Sequence, residues 1–147
     1  MKKKVVYVIL GFLSLLQILG GFGIFFLDDL SGKKVGVNHH VIIKKKEFIS
    51  TWMSNNQVDV YKLVLLFIVV LASCYLVYQI FKRENWWRYV STFLVILFGI
   101  LIYCELILEV FQELPVYMYL VYMSVGILFI EILKVVIQKL MDIEIFK

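Results

Sequence analysis

The sequence holds one proline, Pro115, one alanine, Ala72, and only two arginines, Arg83 and Arg88, in 147 residues. So little proline excludes a proline-rich linker or recognition arm. The two cysteines, Cys74 and Cys104, fall inside apolar runs without Cys-x-x-Cys spacing, which argues against a disulfide framework or a zinc site. Both read as small apolar fillers. There is no glycine-rich phosphate loop, no Ser/His/Asp or Cys/His nucleophile set and no His-Glu-x-x-His. Neither an internal repeat nor a pair of interrupted apolar segments of the transporter kind is visible. The expectation is a protein that is not an enzyme and carries no cofactor.

What is present is apolar: 63% of the residues are hydrophobic and the mean hydropathy is +0.93, values a water-soluble domain cannot carry without large exposed patches. Lipid is therefore the main solvent. The length suits four spans of roughly 20 residues and one modest loop, leaving no room for a separate soluble catalytic domain. The uncharged or nearly uncharged runs fall at about 5–27, 63–81, 89–111 and 116–137. Together they predict an all-α integral membrane protein, a four-transmembrane-helix bundle in one membrane domain, with a longer extracytoplasmic loop, 28–62, between the first two helices.

The first run follows Lys2, Lys3 and Lys4, as a secretory signal peptide would. Its length exceeds the roughly 7–15 residues of a signal-peptide core, and Gly20-Gly21-Phe22-Gly23 is a poor cleavage site. An uncleaved first helix is the favoured reading. In the loop, two short β-branched stretches on either side of Asn38-His39-His40 read as a hairpin, which is marginal in water unless it packs on something. Residues 47–56, with Phe48, Ile49, Trp52 and Met53 at helical spacing, read as a helix lying in the bilayer interface. Gln112-Glu113-Leu114-Pro115 predicts a tight turn with Pro115 in the first turn of the last helix. In that helix Glu131, Lys134, Gln138 and Asp142 form a polar stripe, so its end is expected to emerge as a cytoplasmic amphipathic tail, 138–147.

Basic residues set the expected orientation. Nine of the fifteen lie at the termini and in the 82–88 loop, in short segments beside span ends, whereas six lie in the 28–62 loop, several well away from the spans. This bias places both termini in the cytoplasm and the long loop outside. Basic residues gathered at span ends read as membrane anchors, not as a nucleic-acid surface, and Trp86 and Trp87 suit the headgroup region.

Ionisable groups within apolar runs are costly and are functional hypotheses by default. Glu105 and Glu109 stand four apart in the third run and share a predicted face with Gln112. Glu105 is deep enough for its charge to need a cation or a hydrogen bond. Two readings stand for this pair: structural acids satisfied by lysines and histidines of the outer loop, or a cation or proton site completed by His39 and His40. Glu131 has Lys134 as a local partner. Gln17, with Ser14 and Gly21, reads as an interhelical hydrogen-bonding and close-packing face. The rise per residue separates Glu105 from Glu131 by about 12 Å in depth, which disfavours one relay joining them.

With no catalytic set, the expected role is binding another protein, in one of two versions. A toxin- or bacteriocin-immunity type would present Lys33, Lys34, His39, His40, Lys44, Lys45 and Lys46 outside. A membrane-bound regulator would hold a cytoplasmic partner through Lys82, Arg83, Trp86, Trp87 and Arg88 and the tail. A third reading, from another class, is a small transporter or channel subunit using Glu105 and Glu109. An oligomer through the small-residue face of the first helix stays open, and the scarcity of Ala, Pro and Arg suggests the AT-rich genome of a low-GC bacterium.

Overall fold

The computed structural model describes the backbone of residues 2–83 and 86–145 and the side chains of 8–54, 56–83 and 86–140. Among the described residues six helices follow in order: α1 (Lys2–Lys33), α2 (Val35–Trp52), α3 (Asn55–Lys82), α4 (Trp86–Ile107), the short α5 (Glu109–Glu113) and α6 (Tyr117–Ile145). Among the described residues there is no strand. Four stretches, Val8–Lys33, Asn56–Lys82, Trp86–Ile107 and Tyr117–Leu140, are long and apolar enough to cross a membrane. The fold is thus the all-α four-helix membrane bundle that the apolar runs predict.

The segment between the first two spans departs from expectation because it is helical almost throughout. The first helix does not stop at Asp28 and Asp29; it continues to Lys33, whose Nζ stands 2.6 Å from Asp29 Oδ2, an acid-before-base pair one turn apart. The third helix starts early because Ser54 and Gln57 form a capping box at its head. Between them the predicted hairpin is absent. Its β-branched stretches belong to α2, where Val41 and Phe48, two turns apart, are buried on one face. A hairpin there would have had no partner sheet, whereas the helix has the bundle to pack on. The helix read at 47–56 is the end of α2, and Asn56 belongs to α3.

Helix α4 packs between α3 and α6, and α1 lies against α6. Neighbours run antiparallel: Gln79 of α3 meets Thr92 of α4, Glu105 of α4 meets Ser124 of α6, and Gln17 of α1 meets Glu131 of α6. The main buried cluster is Leu65, Val95, Ile102, Leu106 and Leu128. A second one, Phe48, Tyr117, Met118 and Val121, forms where α2 crosses the head of α6. The outward face of α1 is apolar and open, with Phe25 78% exposed, as a lipid-facing surface requires.

Two glycines meet a side chain of the neighbouring helix. The end of the Met123 side chain of α6 lies over Gly20, where a Cβ would displace it; Gly21, the residue expected at the close approach, has nothing within 4 Å. A Cβ on Gly99 would stand 2.6 Å from Val69 Cγ2 of α3. Gly99→Leu is therefore expected to destabilise the α3–α4 seam by about 1–3 kcal/mol, read as a lower midpoint of thermal unfolding in detergent. Gly126→Ala, at a position with open space, should not lower it.

The third apolar run is one helix by composition but two in the structure. Leu108 adopts an extended conformation, φ −79° and ψ 120°, and separates α4 from α5. The carbonyls freed one turn earlier are taken up by side chains: Gln112 Nε2 donates to Leu106 O at 3.1 Å, and Tyr117 Oη donates to Glu105 O at 3.3 Å. Such satisfaction is what allows a break within an apolar segment. Pro115 lies in the turn ahead of α6 and not in its first turn; Leu114 before it is extended, as a residue preceding proline prefers.

Candidate functional site

The largest polar cluster joins α1 to α6. Lys134 Nζ donates to Gln17 Oε1 at 2.6 Å, Ser14 Oγ at 2.9 Å and Glu131 Oε1 at 2.9 Å, which uses all three ammonium protons. Gln17 Nε2 in turn donates to Glu131 Oε1 at 3.0 Å and Ile127 O at 3.3 Å. The side chains of Lys134 and Glu131 are only 7% and 2% exposed. At 1.5 Å per residue Glu131 stands about 14 Å of helix from Leu140, so the ion pair lies well inside the apolar span. Glu131 and Lys134 are neighbours, as their spacing predicts; Gln17 and Ser14, expected only as a polar face of the first helix, join them, and the stripe does not face water. Gln138 also turns inward, donating to Ser91 Oγ at 3.2 Å. Asp142 and the other side chains beyond Leu140 lie outside the described residues.

Gln17→Leu removes the bridge while keeping the volume. The expected loss is about 2–4 kcal/mol, from one neutral hydrogen bond and two to charged groups. A disulfide between Gly20→Cys and Met123→Cys would report it, forming less completely once α1 loosens.

Glu105 occupies a second site, ten or so Ångströms from the first by helix rise, because its partner Ser124 precedes Glu131 by seven residues on α6. It is 1% exposed. Ser124 Oγ donates to its Oε1 at 2.7 Å, and its Oε2 has no partner among the described residues. The break at Leu108 sets Glu109 apart on α5, where it is exposed, so the two acids do not form the continuous face expected of them. Nor do the lysines and histidines between the first two spans satisfy Glu105. His39 and His40 are exposed on α2, and among the described residues no group of three or more His, Cys, Asp or Glu side chains is spaced to hold a metal ion. Instead Glu109 and Gln112 line a cleft of about 510 Å³ with Lys62 and Asp59, which pair at 3.4 Å.

Helix α2 carries the remaining basic residues at this end. Lys34, His39, His40 and Lys46 are exposed, as is Lys33 at the end of α1, while Lys44 and Lys45 are half-buried. Lys44 Nζ stands 2.7 Å from Glu47 Oε2; this bond holds the Lys44 ammonium above its ordinary pKa and the Glu47 carboxyl below its own. Burial pushes Lys45 down, against the pull of Glu113. The helix is fixed by Phe48, whose ring meets Tyr117 and Tyr122 edge-on with centroids 6.4 and 5.2 Å away.

At the opposite end Arg83, in the left-handed conformation at φ 50°, closes α3. Lys82 lies over the Tyr78 ring at 5.8 Å. Trp86 and Trp87 are each 74% exposed, whereas Arg88 is drawn inward, its Nη2 donating to Gln138 O at 2.8 Å. Glu84 and Asn85 of this loop lie outside the described residues. A network that sequence reasoning missed sits just beneath: Thr92 Oγ1 donates to Gln79 Oε1 at 3.0 Å and Tyr89 Oη to Gln79 O at 3.1 Å, with Gln79 and Thr92 both buried. The available signal was one glutamine interrupting an otherwise apolar run.

No protein-family model, curated protein or solved structure matches the chain.

Proposed function

We propose that the chain is a small, non-enzymatic, multi-pass protein of the cell membrane that acts by binding another protein, with both termini cytoplasmic and α2 as the recognition element outside. The observation that carries this reading is that the segment between the first two spans is a helix seated on the bundle through Val41 and Phe48, leaving His39, His40 and Lys46 exposed. A preformed helix presents a partner with a surface that need not be ordered on binding. The basic character of α2 suits an acidic peptide or an acidic membrane-protein surface, as in an immunity- or protection-type role.

The test is affinity purification from native membranes in mild detergent, on the parent protein, a Lys45→Glu/Lys46→Glu variant and a chain ending at Met141. A stoichiometric partner lost with the charge reversal and kept by the truncated chain supports recognition by α2. The reverse pattern transfers the role to the Lys82–Arg88 end and the tail, as a cytoplasmic regulator would have it. A protein that elutes alone in all three counts against partner binding.

A second reading, a small transporter or channel subunit, rests on the interruption at Leu108 beside buried Glu105 and on the polar cleft lined by Glu109. Interrupted helices near buried acids are a recurrent device of ion-coupled sites. Proton or cation flux in liposomes that is absent from the parent protein discards it; flux abolished by Glu105→Gln supports it.

A further inference from the structure

About one helical turn separates Glu105 from the polar cleft at the head of the bundle. Glu109, which lines the cleft, follows Glu105 by four residues across the break at Leu108, about 6 Å of rise. The cleft meets water at its rim, where the Asp59 side chain is 74% exposed. Glu105 is 1% exposed, yet its Oε2 has no partner among the described residues.

Tyr117 stands between the two. Its ring lines the cleft, its hydroxyl donates to the Glu105 carbonyl at 3.3 Å, and the residue is 2% exposed. Ser124, whose hydroxyl holds the Glu105 carboxyl, lies two turns further down the same face of α6. Along α6 the order is therefore cleft, phenol ring, carboxyl. What supports the ring comes from α2. Phe48 meets it edge-on with centroids 6.4 Å apart and shares its buried cluster, and Ile49 and Met53 of α2 wall the cleft beside it. A helical side chain leans over the turn that precedes it, and Tyr117, the first residue of α6, has no such turn beneath it. The seat of α2 thus fixes a side chain that its own helix leaves unsupported.

We propose that α2 is a gate over Glu105. Seated, it presses Tyr117 across the path from the cleft to the carboxyl; unseated, it lets the ring swing away and opens Glu105 to solutes in water. A protein bound to seated α2 holds the gate shut. The gate requires neither a partner for α2 nor an ion passed on by Glu105, so it stands apart from both readings above.

A thiol at position 124 reports on the path, because Ser124 touches the carboxyl and is 7% exposed. In a Cys74→Ala/Cys104→Ala background, Ser124→Cys introduces the only thiol. The probe is a methanethiosulfonate carrying a trimethylammonium group, too polar to approach through lipid, added to the full chain in phosphatidylcholine nanodiscs. With α2 seated, labelling should be slow. Phe48→Ala should speed it about a hundred-fold, the factor that the loss of a buried ring predicts. Tyr117→Phe keeps the ring against Phe48 and loses only the hydroxyl's bond, so it should speed labelling about five-fold while amide exchange in α2 stays as in the parent. Fast labelling before either substitution means an open path. Labelling no faster in Phe48→Ala, or in Tyr117→Phe, means that these residues do not hold a path shut. Each of these results overturns the proposal, and none touches partner binding by α2, which co-purification reads. Val95→Cys in place of Ser124→Cys is the control, about 15 Å of helix from Glu105 in the main buried cluster. If Phe48→Ala speeds its labelling as much, the whole bundle has loosened and the gate falls as well.

Discussion

Replacing Lys134 by leucine is expected to destabilise the folded bundle by about 3–5 kcal/mol, and replacing both Lys134 and Glu131 by leucine is expected to cost far less. The single substitution leaves the Glu131 carboxylate inside an apolar span with Gln17 as its remaining side-chain donor. A charge stripped of its counter-ion in hydrocarbon carries a penalty of several kcal/mol. The double substitution removes both charges, so only the amide of Gln17 is left short of partners, a loss of about 1–2 kcal/mol. Unfolding in mixed detergent–lipid micelles, followed by circular dichroism, measures both. If the double variant were as unstable as the single one, the cluster would act through hydrogen bonding or packing and not through compensation of charge. The same comparison separates the ion pair from the rest of the α1 seam: Gly20 against Met123 is untouched by either substitution, so a crosslink there should survive in the double variant and fall in the single one.

This cluster also shows what a sequence read alone can carry. The acid–base pair was legible because Glu131 and Lys134 are three apart on one helix, a spacing that fixes neighbours by geometry. Their third and fourth partners, Gln17 and Ser14, lie more than a hundred residues away in the chain. That pairing was visible only as two halves, a polar face on the first helix and a polar stripe on the last. The direction of the stripe was misread, since a periodic polar row on a membrane helix fits a water-facing tail and a buried interhelical seam equally well until the neighbour is known. The four spans were legible for a stronger reason: long uncharged runs leave the backbone no other way to satisfy its hydrogen bonds in lipid.

Two local features were hidden. Neither proline nor glycine marks the break at Leu108; it is sustained by Gln112 and Tyr117, which take the carbonyls of Leu106 and Glu105. That compensation depends on where α6 starts and so cannot be read from the run itself. The hairpin reading of residues around Asn38 failed because valine and isoleucine favour strands only where a sheet exists to receive them. The competing signal, Val41 and Phe48 seven apart, spans two helical turns and is weaker to the eye than three adjacent polar residues.

The seat of α2 supplies the other large expected effect. Phe48 is 6% exposed and touches two tyrosines, while Val41 is the other buried apolar side chain of α2. Phe48→Ala deletes a ring whose removal from a packed site costs about 3–5 kcal/mol, and on a peripheral helix that loss falls on docking and not on the bundle. Taking about 3 kcal/mol, backbone amides of α2 should exchange with solvent about a hundred-fold faster, with those of α3, α4 and α6 unchanged. Protection of α2 that does not move would mean that Phe48 is not what holds it. The consequence for binding follows from the populations. A partner that recognises α2 seated on the bundle meets only the docked fraction, so its apparent Kd rises as that fraction falls. A partner that recognises the helix alone, through Lys45 and Lys46, binds Phe48→Ala as well as it binds the parent. Measuring both exchange and affinity on this one variant therefore distinguishes a surface shared between α2 and the bundle from a surface that belongs to α2 by itself.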